Sequence, residues 1–210
     1  MLKVYGRANS INVRKVLWLL DELGLQYERE DWGRGFQPVT DPAFTAINPL
    51  SVVPAIDDDG FILSESNVIL RYLAAKHQRT DLLPADIKQR ALIERWMDWQ
   101  LSDHSNSSRA AFIGGFVKTP IPGGEEAIKA SLQQWPKTMR MIELQLETSG
   151  GYIAGPEFTL ADIPIGLSAQ RWFAVELPGL VRPDLPATNA YYERLSERPA
   201  FMAHGRNGTP

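Results

Sequence analysis

LKVYGRANSINVRKVLWLLDELGLQYERED, residues 2–31, is the stretch on which the fold turns. Leu2–Tyr5 alternates in polarity like a short strand, and a polar turn, Gly6-Arg7-Ala8-Asn9-Ser10, follows it. From Ile11 to Leu23 apolar residues fall at helical spacing, at Val13, Val16, Leu17 and Leu20, until Gly24 supplies a stop. Leu25–Asp31 then has the length and flanks of a second strand. Strand, helix and strand within about thirty residues is the size of a βαβ unit.

Working outward, a loop rich in Gly, Pro and Asp spans Gly33–Pro42. Two apolar runs, Val52–Ile56 and Phe61–Leu63, flank Asp57-Asp58-Asp59-Gly60, which predicts a hairpin. Ser64-Glu65-Ser66 reads as the cap of a helix over Asn67–Lys76, with Val68, Ile69, Tyr72 and Leu73 on one apolar face. Residues 1–79 therefore read as a βαβ-ββα domain. Thr80–Asp86 reads as a linker, and beyond it strand signals give way to helices at about 87–117, 124–148, 159–171 and 188–196. The fold class predicted is α/β followed by an all-α domain over 87–210. The tail from Met202 to Pro210 is polar and its placement stays open.

The 210 residues are 44% hydrophobic, enough to bury a sizeable core. Lys and Arg number 22 against 25 Asp and Glu, without a run of like charge, so nucleic acid is not an expected partner. No apolar stretch reaches membrane-spanning length and the opening segment is strand-like, which predicts a chain that is neither secreted nor membrane-bound. There is no cysteine. Disulfides, thiolate metal sites and a protein thiol nucleophile are excluded, and any sulfur chemistry has to use the sulfur of a ligand.

Several residues have the type and position for such chemistry. Ser10 precedes the first helix, where its hydroxyl either caps the helix or stands beside an anion at the positive helix end. A thiol held there would have its pKa lowered. Asn12 is placed to donate to the same anion, or to the local backbone. In Asn48-Pro49-Leu50-Ser51-Val52-Val53-Pro54, a cis peptide before Pro54 would free the backbone of Val53 for an extended peptide; a trans proline would merely end a loop. Glu65-Ser66 offers a carboxylate, a hydroxyl and a free amide, a set that holds an amino-acid head group or simply caps a helix.

These segments, in order and at these intervals, resemble the cytosolic glutathione transferases over essentially the whole chain. Ser10–Arg14 is similar to the S-x-N-x-[RK] start of serine-type and related bacterial members. Asn48-Pro49 with Val53-Pro54 resembles the family's N-P-x-x-x-V-P segment, and Glu65–Leu73 its E-S-x-A-I-x-x-Y-L helix start. Phe158-Thr159-Leu160-Ala161-Asp162 resembles the F-[ST]-x-A-D motif of the helical domain. The resemblance implies a thioredoxin-like first domain and a cytoplasmic homodimer. It further implies reduced glutathione as co-substrate, with no permanently bound cofactor and no metal, and a small electrophile as partner. By resemblance Ser10, with Asn12, stabilises the glutathione thiolate, Val53 and cis Pro54 hold its cysteinyl part, and Glu65 with Ser66 holds its γ-glutamyl end. Thr159 and Asp162 form a capping box, a structural role.

Ser51-Val52 stands where many relatives have Gly-Lys or a His for the glycine end of glutathione; Arg34 and Gln37 are the candidates to replace that contact. A second-substrate pocket is expected along the first long helix, from Ser102, Ser105, Asn106, Arg109, Phe112 and Phe116, with Trp172 and Phe173 closing the far side. Arg109 either holds an acidic or polarised substrate or is solvated. The activity expected is attack of the thiolate on an electrophilic carbon; the alternatives are glutathione-dependent disulfide reduction and a ligand- or protein-binding module without turnover.

Overall fold

The computed structural model describes all 210 residues. Strand β1 (Leu2–Tyr5) pairs in parallel with β2 (Tyr27–Glu30), across the helix α1 (Ile11–Glu22) that joins them. On its other side β1 pairs antiparallel with β3 (Ala55–Asp58), and β3 with β4 (Phe61–Ser64), giving the order β2-β1-β3-β4. Helix α3 (Ser66–Lys76) follows, so the βαβ-ββα arrangement expected from the sequence is present. The hairpin lies slightly later than the apolar runs suggest, because Asp58 belongs to β3: it is buried, ion-paired with Lys76, and accepts a 2.6 Å bond from the Tyr72 hydroxyl. A short helix at the end of the predicted loop, α2 (Pro42–Ile47), lies in a stretch the sequence reading leaves largely unassigned; it is capped by Asp41, whose side chain accepts from the Ala43 amide.

Helices make up the remainder: α4 (Ile87–Trp99), α5 (Ser105–Ala110), α6 (Gly124–Ser149), α7 (Asp162–Ala174), α8 (Pro186–Ser196) and α9 (Pro199–His204). The predicted helix at about 87–117 is one helical run interrupted by two π-helical turns, Gln100–His104 and Ala111–Phe116. In the second, Gly114 and Gly115 bring the run close to neighbours; a Cβ on Gly114 would lie 2.9 Å from Ile128 Cδ1 on α6.

One core of 37 buried hydrophobic residues runs through both the sheet region and the helices. Its centre is α1, buried on every side from Val13 to Leu20 because α3, α7 and α9 all pack against it. Trp18 packs at a tilt against Phe201 of α9, ring centres 4.9 Å apart, and against Phe158 at 5.9 Å. Gly166 of α7 permits that crossing, since a Cβ there would meet Trp18 at 2.9 Å. Arg198 adds a two-pronged ion pair to Glu22 at 2.9 and 2.6 Å, and Asn67 of α3 donates to the Met97 carbonyl of α4 at 2.8 Å. The residues that α1 carries are thereby fixed in position relative to α4–α7.

Asp162 opens α7 and collects four donors: the amides of Ile153 and Thr159, and the hydroxyls of Thr159 and Tyr191, at 2.8–3.1 Å. Burial pushes its carboxyl up to about 6 in spite of these bonds. The Thr159 hydroxyl donates to the carboxylate instead of accepting from a helix amide, so this is half of a capping box joined to a wider buried network.

Candidate active site

Ser10 occupies the N-cap position of α1, yet its side chain makes no capping hydrogen bond. It is only 8% exposed and lies on the wall of a cavity of about 530 Å³ between the sheet region and the helices. A hydroxyl at this position ordinarily bonds the first free amides of its helix. Here both the hydroxyl and the positive end of α1 face open space. Asn12 lines the same wall, and its Oδ1 lies 3.5 Å from the Ser66 hydroxyl.

The Val53–Pro54 peptide is cis. Val53 lies outside any strand, and its backbone amide and carbonyl take part in none of the chain's loop and turn hydrogen bonds. Gly6 lets it come close to the β1–α1 turn: a Cβ on Gly6 would lie 3.1 Å from Val53 Cβ and 2.5 Å from Val13 Cγ2. Glu65 stands just before α3 with φ 69, exposed and without a cap bond, while Ser66 is buried beside it. A hydroxyl at a helix N-terminus, a free backbone edge, and a helix start with a carboxylate and a hydroxyl therefore adjoin one another.

Across the cavity stand Gln100, His104, Ser105, Arg109, Phe112 and Phe116, brought to one face by the two π turns. Arg171 of α7 completes that wall, its guanidinium 3.8 Å from the centre of the Phe112 ring. Arg7 and Arg34 face it from the sheet side, and no Asp or Glu lines the cavity. The interior is consequently strongly positive. Burial, with Arg14, Arg7 and Arg34 nearby, lowers the Arg171 pKa to about 9. Burial and Arg171 lower that of Lys15 to about 7; this amine donates to Gln100 Oε1 at 3.0 Å. Burial, Arg171 and Lys15 depress His104 to about 3, so its ring is neutral.

The end of the chain joins the site. Arg14, buried on α1, donates to the carbonyls of His204, Gly205, Thr209 and Pro210 at 2.5–3.3 Å, and Thr209 and Pro210 line the cavity. The polar tail is thus held across α1 at the cavity mouth.

Of the residues singled out from sequence, Ser10, Asn12, Arg34, Ser105, Arg109 and Phe112 line this cavity, and Val53, Glu65 and Ser66 adjoin it. Gln37 does not reach it; this exposed residue's backbone carbonyl closes a loop by accepting from the Gly33 amide. Trp172 is a correction: it is 1% exposed and packs edge-on to Trp135 at 5.3 Å in the core. One residue is about 100° of helix rotation, so on α7 it is Arg171 that faces the cavity. The one cation of the Asp162–Ala174 segment, three residues after the lining Ser168, is the available signal.

Family models of the glutathione S-transferase N-terminal and C-terminal domains match residues 1–75 and 106–199. The chain is 37% identical over 202 residues to the glutathione S-transferase GstB of Escherichia coli, covering 95% of each chain. It is 33% identical to glutathione S-transferase 3 of Zea mays, over 96% of this chain and 91% of that one. Among solved structures, a theta-class glutathione S-transferase of Xanthomonas axonopodis pv. citri with glutathione bound superposes with a TM-score of 0.87 at 38% identity, covering 97% of this chain and 96% of the other. With its thioredoxin-like sheet region, its helical region and the cavity between them, the chain belongs to the glutathione S-transferase family.

Proposed function

We propose that reduced glutathione binds with its sulfur at Ser10 and its cysteinyl backbone along Val53, and that the bound thiolate attacks an electrophilic carbon. The observation that carries this reading is the Ser10 hydroxyl, buried, facing the cavity and without a capping bond. The γ-glutamyl end lies at Glu65 and Ser66, carboxylate to the hydroxyl and helix amide, ammonium to Glu65. Arg34, on the cavity wall, takes the glycine carboxylate in place of the missing Lys or His.

Binding transfers the thiol proton to solvent. The Ser10 hydroxyl donates to the resulting thiolate, the α1 N-terminus favours its charge, and the surrounding guanidinium groups, with no Asp or Glu side chain among the cavity lining, act in the same sense. The sulfur then forms the S–C bond while the leaving group departs with its bonding pair. Catalysis comes from ionisation and alignment, not from a protein nucleophile. Asn12 supports the sulfur from the first turn of α1.

The same reading places the protein as a cytoplasmic homodimer, supported by exposed apolar residues on both regions, Phe61, Ile62 and Val68 on one and Leu92 on the other. Calorimetric titration with reduced glutathione at several pH values, followed by incubation with a chlorodinitrobenzene and mass analysis, tests the function. A proton released on binding and a glutathione–carbon product support it; absence of glutathione binding refutes it.

A further inference from the structure

The cavity carries more positive charge than glutathione accounts for. Glutathione bound as its thiolate has two carboxylates, one thiolate and one ammonium, and on the reading above Ser66, the α3 amide, Arg34, Ser10 and Glu65 engage them. Arg7 and Arg34 belong to the sheet side, whereas Arg109 and Arg171 stand on α5 and α7, on the facing wall. Those two are left without an anion. The ion pairs of the chain lie elsewhere, and the Arg171 Nε is buried without a hydrogen-bond partner.

The geometry of Arg171 is that of a prepared receptor. Its guanidinium carbon lies 3.8 Å from the centre of the Phe112 ring, which restrains the group, and its terminal nitrogens donate to no group of the chain. Paired, coplanar donors match the two oxygens of a carboxylate. Burial and the nearby guanidinium groups of Arg14, Arg7 and Arg34 all disfavour the Arg171 cation, an effect that an anion beside it would relieve. Phe112 and Phe116 stack with centroids 5.7 Å apart and planes 14° apart, and Phe116 remains 37% exposed, so a planar ring has an apolar surface to lie on next to the cations.

We propose that the second substrate is an aromatic carboxylate bearing an electrophilic carbon, its carboxylate forked by Arg171 with Arg109 beside it and its ring against Phe116. This inference rests on the glutathione-transfer reading. For a halogenated aryl carboxylate, the sulfur of glutathione forms the new S–C bond and the halide leaves with the electrons of the broken carbon–halogen bond. The carboxylate stays on Arg171 throughout and orients the ring carbon toward Ser10.

The test compares two unreactive probes of the same shape, meta-nitrobenzoate and meta-nitrobenzamide, titrated calorimetrically into the full chain saturated with S-methylglutathione. The anion is expected to bind about tenfold tighter or more, the effect of a charge-assisted bidentate contact. In Arg171→Met, which keeps the stem and removes the donors, that ratio falls toward one, while Arg171→Lys retains part of it. Arg109→Met lowers the ratio by a smaller factor and guards against a folding defect in the α7 variants. Equal or tighter binding of the amide, or a ratio unmoved by both Met variants, overturns the proposal. Failure of S-methylglutathione to bind counts against the glutathione reading instead; the two probes are then compared in the ligand-free protein, where the same outcomes decide the anion site.

Discussion

Replacing Ser10 by Ala separates a helix cap from a thiolate stabiliser. A serine that caps its helix costs about 1 kcal/mol of stability when truncated. The Ser10 side chain makes no capping bond, so Ser10→Ala is expected to change the free energy of unfolding by less than about 0.5 kcal/mol. Its effect falls on glutathione. A hydrogen bond to a charged partner is worth about 1.5–3 kcal/mol, which corresponds to about one to two pKa units on the bound thiol. A thiol lowered from about 8.5 to about 6.5 is about three-quarters ionised at pH 7, and returning it to about 7.5–8.5 leaves about a quarter or less. Titrating the ultraviolet thiolate absorbance of the protein–glutathione complex measures that pKa directly, and urea unfolding of the free protein measures the stability. The reasoning is refuted by the reverse pattern, a loss of about 1 kcal/mol with the thiol pKa unmoved.

The remaining expectations concern the scaffold around the sulfur. Asp162→Ala removes the acceptor of four buried hydrogen bonds and is expected to lower stability by about 3 kcal/mol or more in urea unfolding, while the kcat of the remaining folded protein holds. His104 is neutral when folded, with its pKa depressed to about 3. The unfolded chain therefore takes up its proton first as pH falls through the ordinary histidine value, and stability declines by about 2 kcal/mol between pH 7 and 5. Asp162, raised to about 6, acts in the opposite sense; the difference between wild type and His104→Gln is accordingly the quantity to compare, and equal slopes would exclude the buried neutral ring. Gly6→Ala places a Cβ 2.5 Å from Val13 and 3.1 Å from Val53, and is expected to raise the KM for glutathione about tenfold in steady-state assays. Arg14→Met frees four tail carbonyls, and limited proteolysis should then cut beyond His204 faster than in wild type.

Periodicity made the opening βαβ unit and the later helices legible, because those segments are long or strictly patterned. Short elements were harder. α2 carries a helix-start signal in Asp41-Pro42, but six residues after a Gly- and Pro-rich loop leave no period to read. β3 includes acidic residues that look like a turn, and only Lys76 and Tyr72, distant in sequence, make Asp58 acceptable in the interior. The sulfur side of the cavity was legible because its residues sit in local motifs. The opposite wall depends on which way α7 is rotated against α1, a tertiary fact, and so the sequence points to Trp172 where Arg171 lines the space. The tail was unreadable for a similar reason: its partner, Arg14, lies 190 or more residues away.

The two π turns in the cavity wall bear on how such a protein changes over generations. Each such turn holds one residue more than the α-helical ladder needs, and the helices that flank the pair in sequence, α4 before and α6 after, pack against the core through Ile93 and Met97 and through Trp135, Met139 and Ile142. A lineage that loses or gains a single codon within Gln100–His104 or Ala111–Phe116 would reshape the wall while the flanking helices stay seated. Length variation, ordinarily confined to surface loops, is here admitted to the lining of the chamber itself.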